Sequence, residues 1–313
     1  MALSAIHPQD SCATPTLRGL FASLALAVAA GAMVFPAQAQ AAETSAATRT
    51  VKSKPSPKQN PPGKDARPLN PESSGAALLN AVSAGNAPAV SRLLDQGVDP
   101  NLADGEALIS AALRGDTAIA KILLEKGAKA DARGGKALTL AALRDNMAMV
   151  ELLLDNPWDK ADPNGDNHWA ISNAARNGFD DIVRKLVAAG ADVNGHGGYA
   201  LANAILGDQD KTAHILLDEL KADPNAGNGL SLSMALEKGN KGLVTTLLAK
   251  GANSNMPVID ETIATIENAR RKGGEDAKKF SAPAYDDVIA MVRKHQDETK
   301  PRQTIVRQTL NPL

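Results

Sequence analysis

The chain has 313 residues, is 43% hydrophobic but only 3% aromatic, and carries a formal net charge of −1. This near-zero charge excludes the strong basic excess that is typical of nucleic-acid-binding domains. The scarcity of aromatic residues disfavours one large globular core, and the abundance of Ala and Leu indicates closely stacked helices instead.

Residues 1–42 have the pattern of an export signal. Arg18 supplies a positive charge, residues 20–34 form an apolar run, and Ala37-Gln38-Ala39 fits the small-x-small pattern of a signal peptidase site. The run is shorter than the roughly 20 residues that a membrane-spanning helix needs. We therefore expect the segment to be cleaved and the protein to be periplasmic, with retention as an uncleaved anchor as the alternative. Cleavage would remove the single cysteine, Cys12, and with it any disulfide or Cys-based metal site.

Residues 43–75 are predicted to be a disordered linker. The segment is rich in proline, lysine and arginine and has almost no large apolar residue. Such a composition cannot repay the conformational entropy lost on ordering. We expect a solvated, mildly basic tether, and binding of peptidoglycan or anionic lipid is the alternative.

Residues 76–257 contain one motif six times over. An apolar anchor residue recurs every 30 to 33 positions, at Leu78, Leu108, Leu138, Ile171, Leu201 and Leu232. Each anchor is followed by small residues such as Ala111-Ala112, then by a second predicted helix with paired leucines such as Leu123-Leu124, then by a glycine such as Gly127. One such unit cannot bury its apolar face alone, so the units must stack.

The closing sequence Gly190-Ala191-Asp192-Val193-Asn194, which follows paired apolar residues, resembles the end of an ankyrin repeat. The resemblance, in particular to exported bacterial members of that family, implies an all-α solenoid of six repeats that binds proteins and is not an enzyme. The Thr-Pro-Leu-His opening of the family is missing, and residues 107–110 stand in its place. Seven positions separate Asn101 from Leu108, about three fewer than the family has. The sequence therefore predicts short finger loops and directs attention to the concave helical face.

A degenerate seventh unit is predicted to close the stack as a C-terminal helical cap over residues 258–296. Its first helix is expected from Glu261 to Lys272, and its second helix should begin at Pro283 after a polar insertion. Terminal repeats of solenoids need a polar outer face, which the charged residues of this segment supply. We expect residues 297–313 to be a flexible tail.

No catalytic or metal-binding pattern stands out in the sequence. The histidines after the signal segment have no metal-ligand spacing; they are His168, His196, His214 and His295. Asp162, Asn164 and Asp166 resemble the start of a calcium loop, but the glycine falls at position 165 and no glutamate closes the loop. We therefore expect no cofactor, no metal and no enzymatic activity.

Two rows of repeat positions are predicted to line the concave face and to bind a protein partner. The row two residues before the anchor contains Glu106, Lys136, Trp169, Tyr199 and Leu230. The row two residues after the anchor contains Asn80, Ser110, Leu140, Asn173, Asn203 and Met234. From these rows we predict that the partner is bound by Trp169, Tyr199, Leu230, Met234, Glu106, Lys136, Asn173 and Asn203. The alternative is that Trp169 packs on Trp158 and only stabilises the fourth repeat.

The function predicted from these features is a periplasmic adaptor, expected to be monomeric and without a membrane span after cleavage. Its groove would bind a protein partner rather than nucleic acid. Similarity to exported bacterial ankyrin proteins suggests support of envelope oxidative-stress defence. An immunity protein that neutralises an envelope toxin and a secreted host-directed effector are the alternatives.

Overall fold

The computed structural model describes residues 71–157 and 159–300, and every regular element in these ranges is a helix. In chain order the helices are α1 (Pro71–Ser83), α2 (Ala87–Asp95), α3 (Leu102–Arg114), α4 (Thr117–Glu125), α5 (Ala132–Leu143), α6 (Met147–Leu154), α7 (Gly165–Asn177), α8 (Asp180–Ala188), α9 (Gly195–Leu206), α10 (Asp210–His214), a π-helix (Ile215–Glu219), α11 (Leu230–Lys238), α12 (Lys241–Ala249), α13 (Pro257–Lys272), α14 (Glu275–Phe280) and α15 (Pro283–Thr299). The predicted signal segment, most of the predicted linker, Trp158 and residues 301–313 lie outside the described residues.

The helices form seven consecutive pairs, which we number as repeats 1 to 7. The first helices of the pairs are α1, α3, α5, α7, α9, α11 and α13, and each contains one of the predicted anchors or, in α13, Ile263. Three helix boundaries differ from those expected. Helix α1 begins at Pro71, α13 begins at Pro257 instead of Glu261, and α15 continues to Thr299. Proline is tolerated in the first turn of a helix, which is where Pro71 and Pro257 stand.

Short polar residues and glycines set the ends of these helices. The Asn86 side chain accepts a hydrogen bond from the Ala89 amide at 3.1 Å, and Asp116 caps α4 in the same way. Such N-caps satisfy amide groups that have no partner within the helix. At the other end of the first helices, Gly115 and Gly178 adopt left-handed backbone angles with φ of 76°, which stops the helix.

The core lies between the helix layers and is built mainly from Ala, Leu, Ile and Val. The paired small residues Ala174 and Ala175 are fully buried, which lets the first helices pack closely on their neighbours. Leu123 and Leu186 of the second helices are also fully buried. Interdigitated side chains of this kind lose many contacts when one is truncated, so each leucine stabilises the two repeats that it joins.

The loops between repeats are tight left-handed turns instead of hairpins. Asp166, Asn167 and His168 have φ angles of 49°, 54° and 60°, and repeats 2, 3, 5 and 6 show the same run of three positive φ values. Three such residues reverse the chain within the short spacing that the sequence shows. Successive turns also approach closely: a Cβ atom on Gly165 would lie 2.4 Å from the carbonyl oxygen of Gly134. The finger loops are therefore short, compact and stacked on each other.

A row of asparagines ties each turn to the following repeat. The Oδ1 atom of Asn164 accepts a hydrogen bond from the Asp192 amide at 2.7 Å, and its Nδ2 atom donates to the Gly190 carbonyl at 3.0 Å. Equivalent residues in repeats 2, 5 and 6 accept the same amide bond; they are Asn101, Asn194 and Asn225. Repeat 3 has Asp131 at this position, which accepts from the Asp162 amide at 2.6 Å but has no hydrogen to donate when ionised.

The seventh pair closes the stack through specific polar contacts. The Tyr285 hydroxyl donates to the carbonyl of Glu237 in α11 at 3.0 Å, and the buried Gln296 side chain donates to the Ser254 carbonyl at 2.7 Å. The insertion that precedes α15 contains the short helix α14. Its Phe280 packs edge-on against Tyr285, with ring centroids 5.2 Å apart, so the insertion covers the end of the core.

Candidate functional site

The first helices form the inner layer of the stack. They pack on each other more extensively than the second helices do, as expected for the short side of a curved solenoid. In repeats 1 to 6 one side of the first helix packs against the second helix of its own repeat, and residues on the opposite side are partly exposed. Positions two before, two after and five after the anchor lie four and three residues apart, so they share that partly exposed side. We call this surface the inner face.

All eight predicted site residues lie on the inner face, and all are half-buried. The neighbouring anchor positions are fully covered; for example, Ala200 and Leu201 are at most 2% exposed, whereas Tyr199 remains partly accessible. The asparagines Asn173 and Asn203 and the apolar residue Met234 lie one helical turn further along the same face. The structure thus places the predicted set in two rows along consecutive first helices, and within the set it brings the rings of Trp169 and Tyr199 together.

In repeats 2 and 3 the residue two positions before the anchor is charged, and each of these residues is paired with a charged residue of the following repeat. Glu106 contacts Arg133 of the next repeat at 2.7 Å, and Lys136 contacts Asp166 of the next repeat at 3.1 Å. Arg133 and Asp166 each stand five residues before their own anchor, within the left-handed turn. These pairs are partly exposed, and exposed pairs stabilise a protein by about 1 kcal/mol or less. Glu106 and Lys136 are therefore links between repeats as well as surface residues.

In repeats 4 and 5 aromatic rings replace the charges in the same arrangement. The Trp169 and Tyr199 ring centroids lie 6.5 Å apart with a tilt of 66° between the rings. His196, which stands five residues before its anchor, lies 6.2 Å from Trp169 and 4.5 Å from Tyr199. Edge-on contacts at these distances are favourable for aromatic pairs. We call Trp169, His196 and Tyr199 the aromatic cluster; Trp158, the alternative partner of Trp169, lies outside the described residues.

Sequence reasoning did not include His196 among the site residues, although a signal for it existed. Arg133 follows Glu106 by 27 residues, and His196 follows Trp169 by the same number. The position five residues before each anchor therefore contacts the position two before the preceding anchor. A search for paired rows, instead of single rows, would have identified the histidine.

Two leucines of the inner face were also missed. Leu113 is 44% exposed and Leu143 is 43% exposed, and they are the exposed large hydrophobic residues among those that the structure describes. Each stands five residues after its anchor, one repeat apart. Because this position is seven residues after the predicted row, the helical period would have placed both leucines on the same face.

The described residues offer little for a metal site or a membrane span. Within residues 71–157 and 159–300, no group of three or more His, Cys, Asp or Glu side chains could hold a metal ion. None of the helices in these ranges is long and apolar enough to cross a membrane. The inner face is therefore the best candidate for a binding site. It presents aromatic, aliphatic and amide side chains on one concave surface, as protein interfaces do.

A family model described as ankyrin repeats (3 copies) matches residues 78–167. The crystal structure of the human ASB11 ankyrin repeat domain is 24% identical in sequence, with a TM-score of 0.48, over 60% of this chain and 96% of that one. The crystal structure of the ankyrin repeat domain of Bcl-3, from the IkappaB protein family, is 27% identical, with a TM-score of 0.50, over 59% of this chain and 90% of that one. No curated protein sequence matches the chain.

Stacked helix pairs with equivalent positions 30 to 33 residues apart make the described part of the chain a helical repeat solenoid. The family match identifies residues 78–167 as ankyrin repeats, and the similarity to the Bcl-3 domain agrees with an ankyrin-repeat solenoid fold for the helix pairs that the structure describes. Ankyrin repeats generally mediate protein–protein interaction, and their fold typically serves as a non-enzymatic scaffold.

Proposed function

We propose that this protein is an exported scaffold that binds a protein partner along its inner face, with the aromatic cluster, Leu230 and Met234 as the central contacts. The aromatic cluster carries the proposal. In a chain with only 3% aromatic residues, two of them stand at the same position in consecutive repeats, together with a histidine, on a partly exposed surface. Trp and Tyr are the residues that most often contribute large binding free energies at protein interfaces.

The buried residues beneath the aromatic cluster also support a binding role. The first helices beneath it are fixed by buried residues such as Ala170, Ile171 and Leu201, each at most 1% exposed. A contact surface that is rigid before binding loses less conformational entropy when the partner docks. The amides of Asn173 and Asn203, one turn away, can supply the few directional hydrogen bonds that orient a partner.

Export to the periplasm is the second part of the proposal, and residues 1–42 support it through their charge, apolar run and small-x-small pattern. The partner's identity would separate the possible roles. A stress-defence enzyme would indicate support of oxidative-stress defence, a toxin would indicate an immunity protein, and a host protein would indicate an effector.

The proposal can be tested by site-specific photo-crosslinking in the cells that produce the protein. A photoreactive amino acid would replace Asn203 on the inner face, and in a matched control it would replace Lys121 on the outer helix α4. We expect a discrete crosslinked protein from position 203 and none from position 121. The adduct should disappear when Tyr199→Ala is added. Equal adducts from both positions, or none from position 203, would contradict the proposal.

A further inference from the structure

The inner face has an edge that differs from the aromatic cluster in both chemistry and place. It is formed where the first helices of repeats 2, 3 and 4 end, and we call it the arginine edge; its residues are Leu113, Arg114, Leu143, Arg144 and Arg176. The two leucines are more than 40% exposed. Each is followed directly by an arginine, Arg114 or Arg144, which is also exposed. The same exposed Leu-Arg pair thus recurs in two consecutive repeats.

The three arginines of this edge have no carboxylate partner among the described residues. Four other arginines in the same ranges form ion pairs, namely Arg133, Arg184, Arg270 and Arg293, whereas Arg92 and Arg271 have none with a described residue. The nearest acidic residues along the chain are Asp116, Asp145 and Asp180, and Asp180 is paired with Lys211 at 2.6 Å. Asp116 is occupied as the N-cap of α4, where it accepts from the Ile119 amide at 3.0 Å, and Asp145 lies in the exposed turn after α5. The edge therefore carries more positive than negative charge.

The exposed apolar residues connect this edge to the aromatic cluster along an oblique path. The path starts at Leu113 and Leu143, crosses the middle of the face at Leu140, and reaches Trp169 and Tyr199. Neighbouring packed helices are about 8–10 Å apart, so three steps from repeat 2 to repeat 5 span roughly 25–30 Å. A helix of about 20 residues has that length.

Some of the charged residues beside the oblique path are already in ion pairs, and others are not. On the side of the path next to the turns between repeats, Glu106 pairs with Arg133 and Lys136 pairs with Asp166. On the other side, Arg144 and Arg176 form no ion pair with any residue that the structure describes. An apolar partner alone would bury these guanidinium groups without compensation, which is costly. A carboxylate can instead accept two parallel hydrogen bonds from a guanidinium group, which is the arrangement that arginine favours.

We propose that the segment bound by the inner face is an acidic amphipathic helix, with an apolar stripe on the oblique path and Asp or Glu residues opposite Arg144 and Arg176. This inference rests on the proposed function, because it specifies what the same surface binds. Helices that lie in apolar grooves present anchors at positions i, i+3, i+4 and i+7, which is the pattern the path requires. The arginines then select for charge, while the leucines and the aromatic cluster supply the apolar contacts.

The test uses a phage-displayed library of 20-residue peptides that are designed to form helices and are randomised at their surface positions. Peptides that bind the full-length protein are selected from this library. We expect enriched peptides to share apolar residues at helical spacing and Asp or Glu on one flank. A synthetic enriched peptide should lose affinity by roughly tenfold or more on the double variant Arg144→Glu/Arg176→Glu. The matched control Arg92→Glu, an exposed arginine at the end of α2, should bind the peptide as the unmodified protein does. Replacement of the peptide's acidic residues by Lys should restore binding to the double variant.

The outcomes separate the inference from the proposed function. Enriched peptides without acidic residues, or binding that is insensitive to the arginine reversals but lost on Trp169→Ala, would overturn the acidic helix and leave the binding face intact. Failure to obtain any peptide whose binding depends on Trp169, Tyr199 or Leu143 would overturn the acidic helix, and the crosslinking from position 203 decides the proposed function separately. Vesicles containing phosphatidylglycerol test the alternative that the arginine edge binds an anionic lipid surface. Vesicle binding that depends on Arg144 and Arg176, without peptide enrichment, would assign the edge to a lipid surface and overturn the inference.

Discussion

Replacement of Asp131 by asparagine should stabilise the protein, because this is the one position in the row of turn asparagines that carries a carboxylate. In repeat 2, the Asn101 side chain both accepts from the Lys129 amide at 2.8 Å and donates to the Gly127 carbonyl at 3.0 Å. Asp131 accepts its amide bond but cannot donate. An amide at position 131 would keep the accepted bond and gain two hydrogens that can face Asp159 and Asp162.

The charge of Asp131 gives this prediction a pH dependence. Partial desolvation raises the pKa of the Asp131 carboxyl above its usual range, and the nearby carboxylates of Asp159 and Asp162 add to the rise, although the Asp162 amide bond opposes it. The native state therefore binds this proton more tightly than the unfolded chain does. Its contribution to stability is fully present below the unfolded-state pKa and is lost as the pH rises through the folded-state pKa. Asparagine has no such proton, so its advantage should be largest at neutral pH.

One hydrogen bond at a partly exposed site is worth about 0.5–1 kcal/mol. For a solenoid of this size, 1 kcal/mol corresponds to a shift in Tm of roughly 2–4 °C. Urea unfolding of Asp131→Asn should therefore show a gain in the free energy of unfolding at pH 7 that shrinks toward zero near pH 3.5. The matched control Asn164→Asp should lose a similar amount at pH 7, because it gives up the bond to Gly190. A less stable Asp131→Asn protein at pH 7, or a gain that is larger at pH 3.5, would refute this reasoning.

Three further predictions address the core, the turns and export. Leu123→Ala should lower the free energy of unfolding by about 2–5 kcal/mol in denaturant melts, because the side chain is fully buried between repeats; an unchanged midpoint would contradict this packing. Gly165→Ala should cost about 1–3 kcal/mol, because the added Cβ would lie 2.4 Å from the Gly134 carbonyl oxygen; a neutral result would show that the stacked turns can separate. N-terminal sequencing of the protein from its own cells should begin between Gln40 and Glu43, and an intact Met1 terminus would argue against cleavage.

The sequence predicts the repeats well because they obey a simple period. The anchors, the paired small residues and the closing glycines recur at nearly constant spacing, and each has one physical role, so the helix pairs and their order follow directly. The rows two residues before and after the anchor could be placed on one face for the same reason. Trp169 and Tyr199 therefore came together as expected.

What the sequence alone could not supply was the contact between successive turns. The sequence Asp166-Asn167-His168 does not predict three consecutive positive φ values, because L-residues rarely adopt this conformation several times in a row. That turn places Asp166 beside Lys136, and its equivalent in the next repeat places His196 beside both Trp169 and Tyr199. That Arg144 and Arg176 have no carboxylate partner among the described residues likewise depends on the distances between side chains in different repeats.

The affinity of the crosslinked partner for groove variants tests the central claim most directly. Loss of a central aromatic anchor costs about 2 kcal/mol or more of binding free energy, which is roughly a 30-fold loss of affinity. Trp169→Ala and Tyr199→Ala should each weaken binding of the purified partner by at least this factor in calorimetric titration, with circular dichroism showing that both variants remain folded. Lys121→Ala, on the outer helix α4, should bind as the unmodified protein does. Unchanged affinity for both aromatic variants, with a loss for Lys121→Ala, would place the binding surface on the outer face and contradict the account.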